Sequence, residues 1–132
     1  MSLSLPIALS ISASAILLNF WLMLRVGQVR KSEGVSVGDG GNEIVIRRMR
    51  AHANFTESAP LVIILIVLIE FNNLAIGWLS YLAGAYIIGR LLHAFGMDGG
   101  ALKWGRVVGI IITMLTMVIL AFLVVFSLLT AP

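Results

Sequence analysis

Cysteine is absent from the chain, which excludes a disulfide-stapled secreted domain and leaves the redox state of its compartment unmarked. Any thiol chemistry would have to arrive with a ligand. Acidic residues number only six among 132, and charged residues of both signs make up 11%, less than half the usual share. What is abundant is apolar: 60% of the chain before glycine is counted, and roughly 70% with the 13 glycines, against about 45–50% in soluble domains. A soluble domain of this size cannot hide that much apolar surface, and a disordered chain does not carry it. One bilayer crossing takes about 20 apolar residues, so four crossings use about 80 and leave only short loops. The composition is that of a small membrane protein with several spans.

The few charges mark where the spans end. Met1–Leu24 contains none and Arg25 closes the run, which predicts a first span over Leu5–Val29. No basic segment precedes this run, and it continues past Ser12-Ala13-Ser14-Ala15, so it reads as a retained span and not a signal peptide. Phe71–Gly89, closed by Arg90, and Val107–Pro132 are two further charge-free stretches of spanning length. The remaining apolar run, Ser58–Ile69, is too short alone. Extending it back to Arg50 reaches about 30 Å of helix, so this span must carry polar groups into the bilayer. The expected spans are about 5–29, 45–69, 71–95 and 104–130, within a single domain over 1–132.

All nine Lys and Arg lie in or beside the first and third connections. By the positive-inside rule those loops face the cytoplasm and both termini face out, as expected for a bacterial inner membrane. The pI near 10 then reflects interfacial anchors, and nucleic acid is not an expected partner. The first loop contains Gly38-Asp39-Gly40-Gly41, but no Gly-Lys-Ser/Thr ending follows and no strand precedes, which excludes a phosphate-binding loop. Gly105-x-x-x-Gly109 opens the fourth span and suits close helix packing.

Arg47, Arg50, Asn54 and Glu57 fall at i, i+3, i+7 and i+10, one stripe of a helix. A charge at bilayer mid-depth costs at least about 2.5–3.5 kcal/mol, so this stripe should face protein or a wet cavity. Tyr86, Arg90 and His93 form a second stripe on the third span, and Arg90 is the expected counter-ion of Glu57. The same pair also fits a plain helix–helix lock, Arg106 an interfacial anchor, and His93 a satisfied polar residue. Arg25, Arg48 and Lys103 read as anchors, and Glu70 as a marker of the opposite interface. Together Arg30, Arg47, Arg50, Asn54, Arg90, His93 and Arg106 make a donor-rich half suited to an anionic, peptide-like ligand. No side chain offers a good nucleophile, so an enzyme built this way would receive one from its cosubstrate.

Arg50-Ala-His-Ala-Asn54-Phe-Thr-Glu57-Ser-Ala-Pro60 resembles the signature of the MAPEG family, the membrane-associated proteins of eicosanoid and glutathione metabolism. Gly27-Gln28-Val29-Arg30, Gly89-Arg90-x-x-His93 and Arg106 agree with it in order and spacing, so the resemblance covers nearly the whole chain. It implies an all-α membrane protein, a four-helix transmembrane bundle assembled as a homotrimer, with glutathione bound between subunits near the cytoplasmic face. Arg30, Arg50, Asn54, Glu57, Arg90 and His93 would bind the tripeptide, and Arg106 would face its sulfur as the catalytic residue. The partners implied are a second and third copy, the lipid bilayer and a hydrophobic small-molecule substrate. Ser58 and Met97 stand where family members carry tyrosines, and Val107 replaces a serine of the prostaglandin synthase. Phenol contacts to glutathione are therefore expected to be missing, which favours a general detoxifying transferase or peroxidase over an eicosanoid synthase. The alternatives are a small multi-span transporter, which usually places an acid in the first span where this chain has none, and a non-catalytic membrane protein.

Overall fold

The structure, a computed structural model, describes residues 4–74 and 76–130. Met1–Leu3 of the first charge-free run, Ala75 of the expected third span, and Ala131–Pro132 of the last run lie outside the described residues. Four α-helices follow one another: α1 Pro6–Ser32, α2 Glu43–Phe71, α3 Ile76–Asp98 and α4 Trp104–Thr130, with a 3-10 turn Gly100–Leu102 before α4. Proline at the first position of α1 suits a helix start, where its missing N–H goes unneeded, and Arg30 and Lys31 sit favourably in the last turn. Asn42 caps α2 by accepting from the backbone N–H groups of Ile44 and Val45 at 3.0 and 3.3 Å. The third helix begins at Ile76 and not at Phe71. Phe71 continues α2, and the chain turns through Asn72 and Asn73, the latter at φ 54°, which asparagine tolerates.

Pro6–Ser32, Glu43–Phe71 and Gly100–Thr130 are long and apolar enough to cross a membrane. The third helix has 23 residues, about 35 Å of helix, and carries Arg90, His93 and Asp98. The protein is an all-α integral membrane protein. Its core is built from Leu18, Leu22, Phe55, Val62, Ile66, Leu79, Tyr86 and Leu120, all buried. Leu17, Ile64, Met114, Val118 and Phe122 point outward, which is the pattern of a surface bathed in lipid.

Two polar ties set the helix directions. At one end, Asp98 at the close of α3 holds both Arg25 of α1 and Arg48 of α2. At the other, the Glu70 carboxylate at the end of α2 accepts from Ile7 N and Ala8 N at 2.9 and 2.7 Å. The C-terminal ends of α1 and α3 therefore lie with the start of α2, and the bundle runs up and down. These ties extend two expectations. Arg25 and Arg48 are more than anchors: Arg25 is buried, donates to the Ala94 carbonyl, and stacks over Trp21 and Phe95 at 4.6 and 5.7 Å. Glu70 is a buried cap for the orphan amides of α1, where a helix N-terminus favours negative charge.

The closest packing is between α3 and α4. A Cβ on Gly105 would lie 2.6 Å from the Leu92 carbonyl oxygen, and one on Gly109 would lie 2.7 Å from the His93 Cβ. Gly96, facing the backbone of Gly105 and Arg106, is equally intolerant. The expected small-residue packing at Gly105 and Gly109 is present, and it fixes how α3 presents Arg90.

Candidate functional site

Tyr86, Arg90 and His93 fall on the face of α3 that turns into the bundle, and they are 0%, 3% and 1% exposed. The glycine seam brings α4 near enough for Arg90 Nη1 to donate to Thr113 Oγ1 at 3.2 Å. Thr113 in turn donates to the Gly109 carbonyl at 2.8 Å. Arg90 Nη2 lies 2.9 Å from His93 Nδ1. A guanidinium can only donate, so Nδ1 must accept, and His93 is held as the neutral tautomer with its proton on Nε2. Both partners of Arg90 are therefore neutral. Among the described residues no carboxylate comes within ion-pair distance of it.

Arg90 opens onto a cavity of about 280 Å³ between α2, α3 and α4, lined by Asn54, Glu57, Ser58, Arg90, Ile110, Thr113, Met114 and Met117. The expected Glu57–Arg90 ion pair is not formed, although both residues line this space. Glu57 stays exposed, because Arg90 is turned toward α4 and not toward α2. Asn54 donates to the Arg50 carbonyl at 3.0 Å, which keeps its amide against its own helix and beside the cavity. Ser58 Oγ lies 2.8 Å from the Tyr86 hydroxyl.

Two turns further along α4, Arg106 lines a second cavity of about 350 Å³ with Arg47, Lys103, Met97 and the Gly99–Gly100 turn. Arg106, Ile110, Thr113 and Met117 share one α4 stripe, and Arg47, Asn54 and Glu57 share one α2 stripe. The two cavities thus lie along the same α2–α4 groove, polar and cationic at one end and apolar at the other. Arg106 itself is exposed, while Arg47 pairs with Glu43 at 2.9 Å.

Of the seven residues singled out in the sequence, Asn54, Glu57 and Arg90 meet in one cavity, with His93 behind Arg90 and Arg106 on the same groove. Arg50 is exposed on α2 and lines neither cavity. Arg30 is half-buried where α1 meets α2, touching Met49 Sδ at 3.5 Å, and is not brought into the groove of its own subunit. Two buried side-chain N–H groups lack a partner among the described residues, Arg30 Nε and Arg90 Nε, and both belong to the predicted set. Sequence reasoning missed Thr113 and the Ser58–Tyr86 contact. The available signal was that Thr113 lies seven residues past Arg106, on its stripe, in a helix that is otherwise almost wholly apolar.

The MAPEG family profile matches residues 8–126. The chain belongs to the MAPEG family. This MAPEG chain is 32% identical over 82 residues to the inner membrane protein YecN of Escherichia coli K12, a match covering 61% of the chain and 62% of that protein. The YecN protein of Escherichia coli O6:H1 matches to the same extent. The chain therefore spans less than two thirds of the length of these relatives.

Proposed function

We propose that this MAPEG protein is a glutathione-dependent transferase or peroxidase acting on apolar electrophiles dissolved in the bilayer. The observation that carries the reading is Arg90, which lines a cavity as a buried guanidinium with, among the described residues, neutral partners only and no partner for its buried Nε. A buried cation is costly without an anion, so such a group is poised for a ligand that brings one. Glutathione offers two carboxylates, an ammonium and a thiol. The residues present fit it: Arg90 and the orphan Nε of Arg30 suit carboxylates, Glu57 suits the ammonium, and Asn54 suits the peptide amides.

When bound, glutathione supplies the attacking sulfur. Arg106, exposed on the groove, favours the ionised form of a neighbouring thiol. Lowering a thiol pKa by about two units takes roughly 2.7 kcal/mol of differential stabilisation. Ile110, Met114 and Met117 give the apolar side along which an electrophile reaches it from lipid. Arg30 and Arg50 lie outside their own subunit's groove, which supports a site completed by a second copy, and the family resemblance makes that assembly a homotrimer. In this reading all four helices cross an inner membrane, with both termini outside and the first and third loops cytoplasmic, because every Lys and Arg gathers at or near one end.

Conjugation of glutathione to a chlorodinitrobenzene reporter by the detergent-purified protein tests this. Turnover above background, lost in Arg106→Ala, is the expected result. Absence of both turnover and glutathione binding at millimolar concentration would overturn the reading.

A further inference from the structure

A hydroxyl of α3 meets a hydroxyl of α2 at the edge of the cavity. Tyr86 is 0% exposed, and its hydroxyl has one hydrogen-bond partner among the described residues, Ser58 Oγ at 2.8 Å. A buried phenol that failed to donate would leave its proton unsatisfied, so Tyr86 donates and Ser58 accepts. Ser58 keeps its own proton, which at rest points to the Asn54 carbonyl at 3.0 Å. That bond is expendable, because Asn54 O retains the backbone N–H of Ser58 as its regular helical partner. Ser58 also lines the cavity that Arg90 opens onto.

We propose that Tyr86 and Ser58 form a hydroxyl relay that presents the Ser58 proton to the cavity as a second anion donor beside Arg90. The cavity then takes a carboxylate through a guanidinium and a hydroxyl together. Donation from Tyr86 polarises Ser58 and makes it a stronger donor than an isolated serine. Arg90, pinned by Thr113 and His93, contributes the charge, and Ser58 contributes direction. Glu57, on the same cavity, repels an anion and leaves its own side for a cationic group. Ser58 is a ligand contact, and Tyr86 is a positioning residue acting through it. The inference rests on glutathione as the ligand and identifies how one of its carboxylates is held.

Titration calorimetry with glutathione on the full-length protein in detergent tests the relay. Ser58→Ala is expected to weaken binding about tenfold or more, the effect of losing one hydrogen bond to a charged group, and Tyr86→Phe about fivefold, the effect of losing the neutral bond that polarises it. Because the two hydroxyls act in series, the double variant should bind no more weakly than the weaker single variant. Ser58→Thr, which keeps the hydroxyl, should stay within about twofold of the parent. Unchanged affinity in Tyr86→Phe, or additive losses in the double variant, would overturn the relay while leaving the glutathione reading intact. No binding by the parent protein would instead overturn that reading, and the relay with it.

Discussion

A guanidinium taken out of water needs anionic or well-placed neutral partners, and the two buried arginines answer this need differently. Arg25 is matched by Asp98, by the Ala94 carbonyl and by the rings of Trp21 and Phe95. Among the described residues Arg90 has only Thr113 and His93. The first arrangement is a completed lock, and on the proposed reading the second is left incomplete for a ligand. Asp98→Asn removes the charge shared by Arg25 and Arg48. Because Asp98 is one third exposed, the loss should be roughly 2 kcal/mol, below the 3–5 kcal/mol of a fully buried pair. It is measurable as a lower midpoint of thermal unfolding in detergent, with glutathione affinity unchanged at saturating protein stability. The sequence identified Arg90, Asn54 and Glu57 as neighbours by spacing along two helices. It did not reveal that Glu57 and Arg90 stay apart, because spacing sets the face and depth of a residue within its own helix only. How far α3 is rotated relative to α2 depends on packing against a third helix.

That third helix is α4, and the glycine seam is the element that decides the rotation. Gly89, Gly96, Gly105 and Gly109 let the two backbones approach until side chains would collide with carbonyls. Gly109→Ala must push α3 and α4 apart. Overpacking of this kind costs about 1–3 kcal/mol, and here it also lengthens the Arg90–Thr113 contact. The expected outcome is a lower unfolding midpoint together with weaker glutathione binding. Gly84→Ala, where a Cβ meets open space, should change neither. Helix existence was legible from the charge-free runs, and Gly105-x-x-x-Gly109 was legible as a packing motif. Of the seam's partners, Gly89 entered only beside Arg90 in Gly89-Arg90-x-x-His93 and Gly96 not at all, because seven residues separate them and no short packing motif joins them. The Glu70 cap was equally hidden: nothing local to Glu70 signals that the start of α1 lies beside it.

At the scale of the whole molecule, the bundle leaves large apolar side chains on its outside and collects its cationic ends together. A reporter fused after Pro132 should be active on the non-cytoplasmic side, and cytoplasmic activity would contradict the proposed orientation. The two cavities follow the α2 and α4 stripes, cationic beside Arg106 and apolar toward Met117. Arg30, half-buried where α1 meets α2, and Arg50, exposed on α2, lie outside both, and on the proposed reading another copy brings them there.

Arg90 awaits an anion on glutathione in the proposed function, and calorimetric titration of glutathione into the purified protein tests this directly. Saturable binding with a dissociation constant of about 1 mM or tighter, weakened at least about tenfold in Arg90→Gln and not restored by Arg90→Lys, is the predicted result. Heat indistinguishable from dilution in the parent protein, or equal affinity in Arg90→Gln, would contradict it.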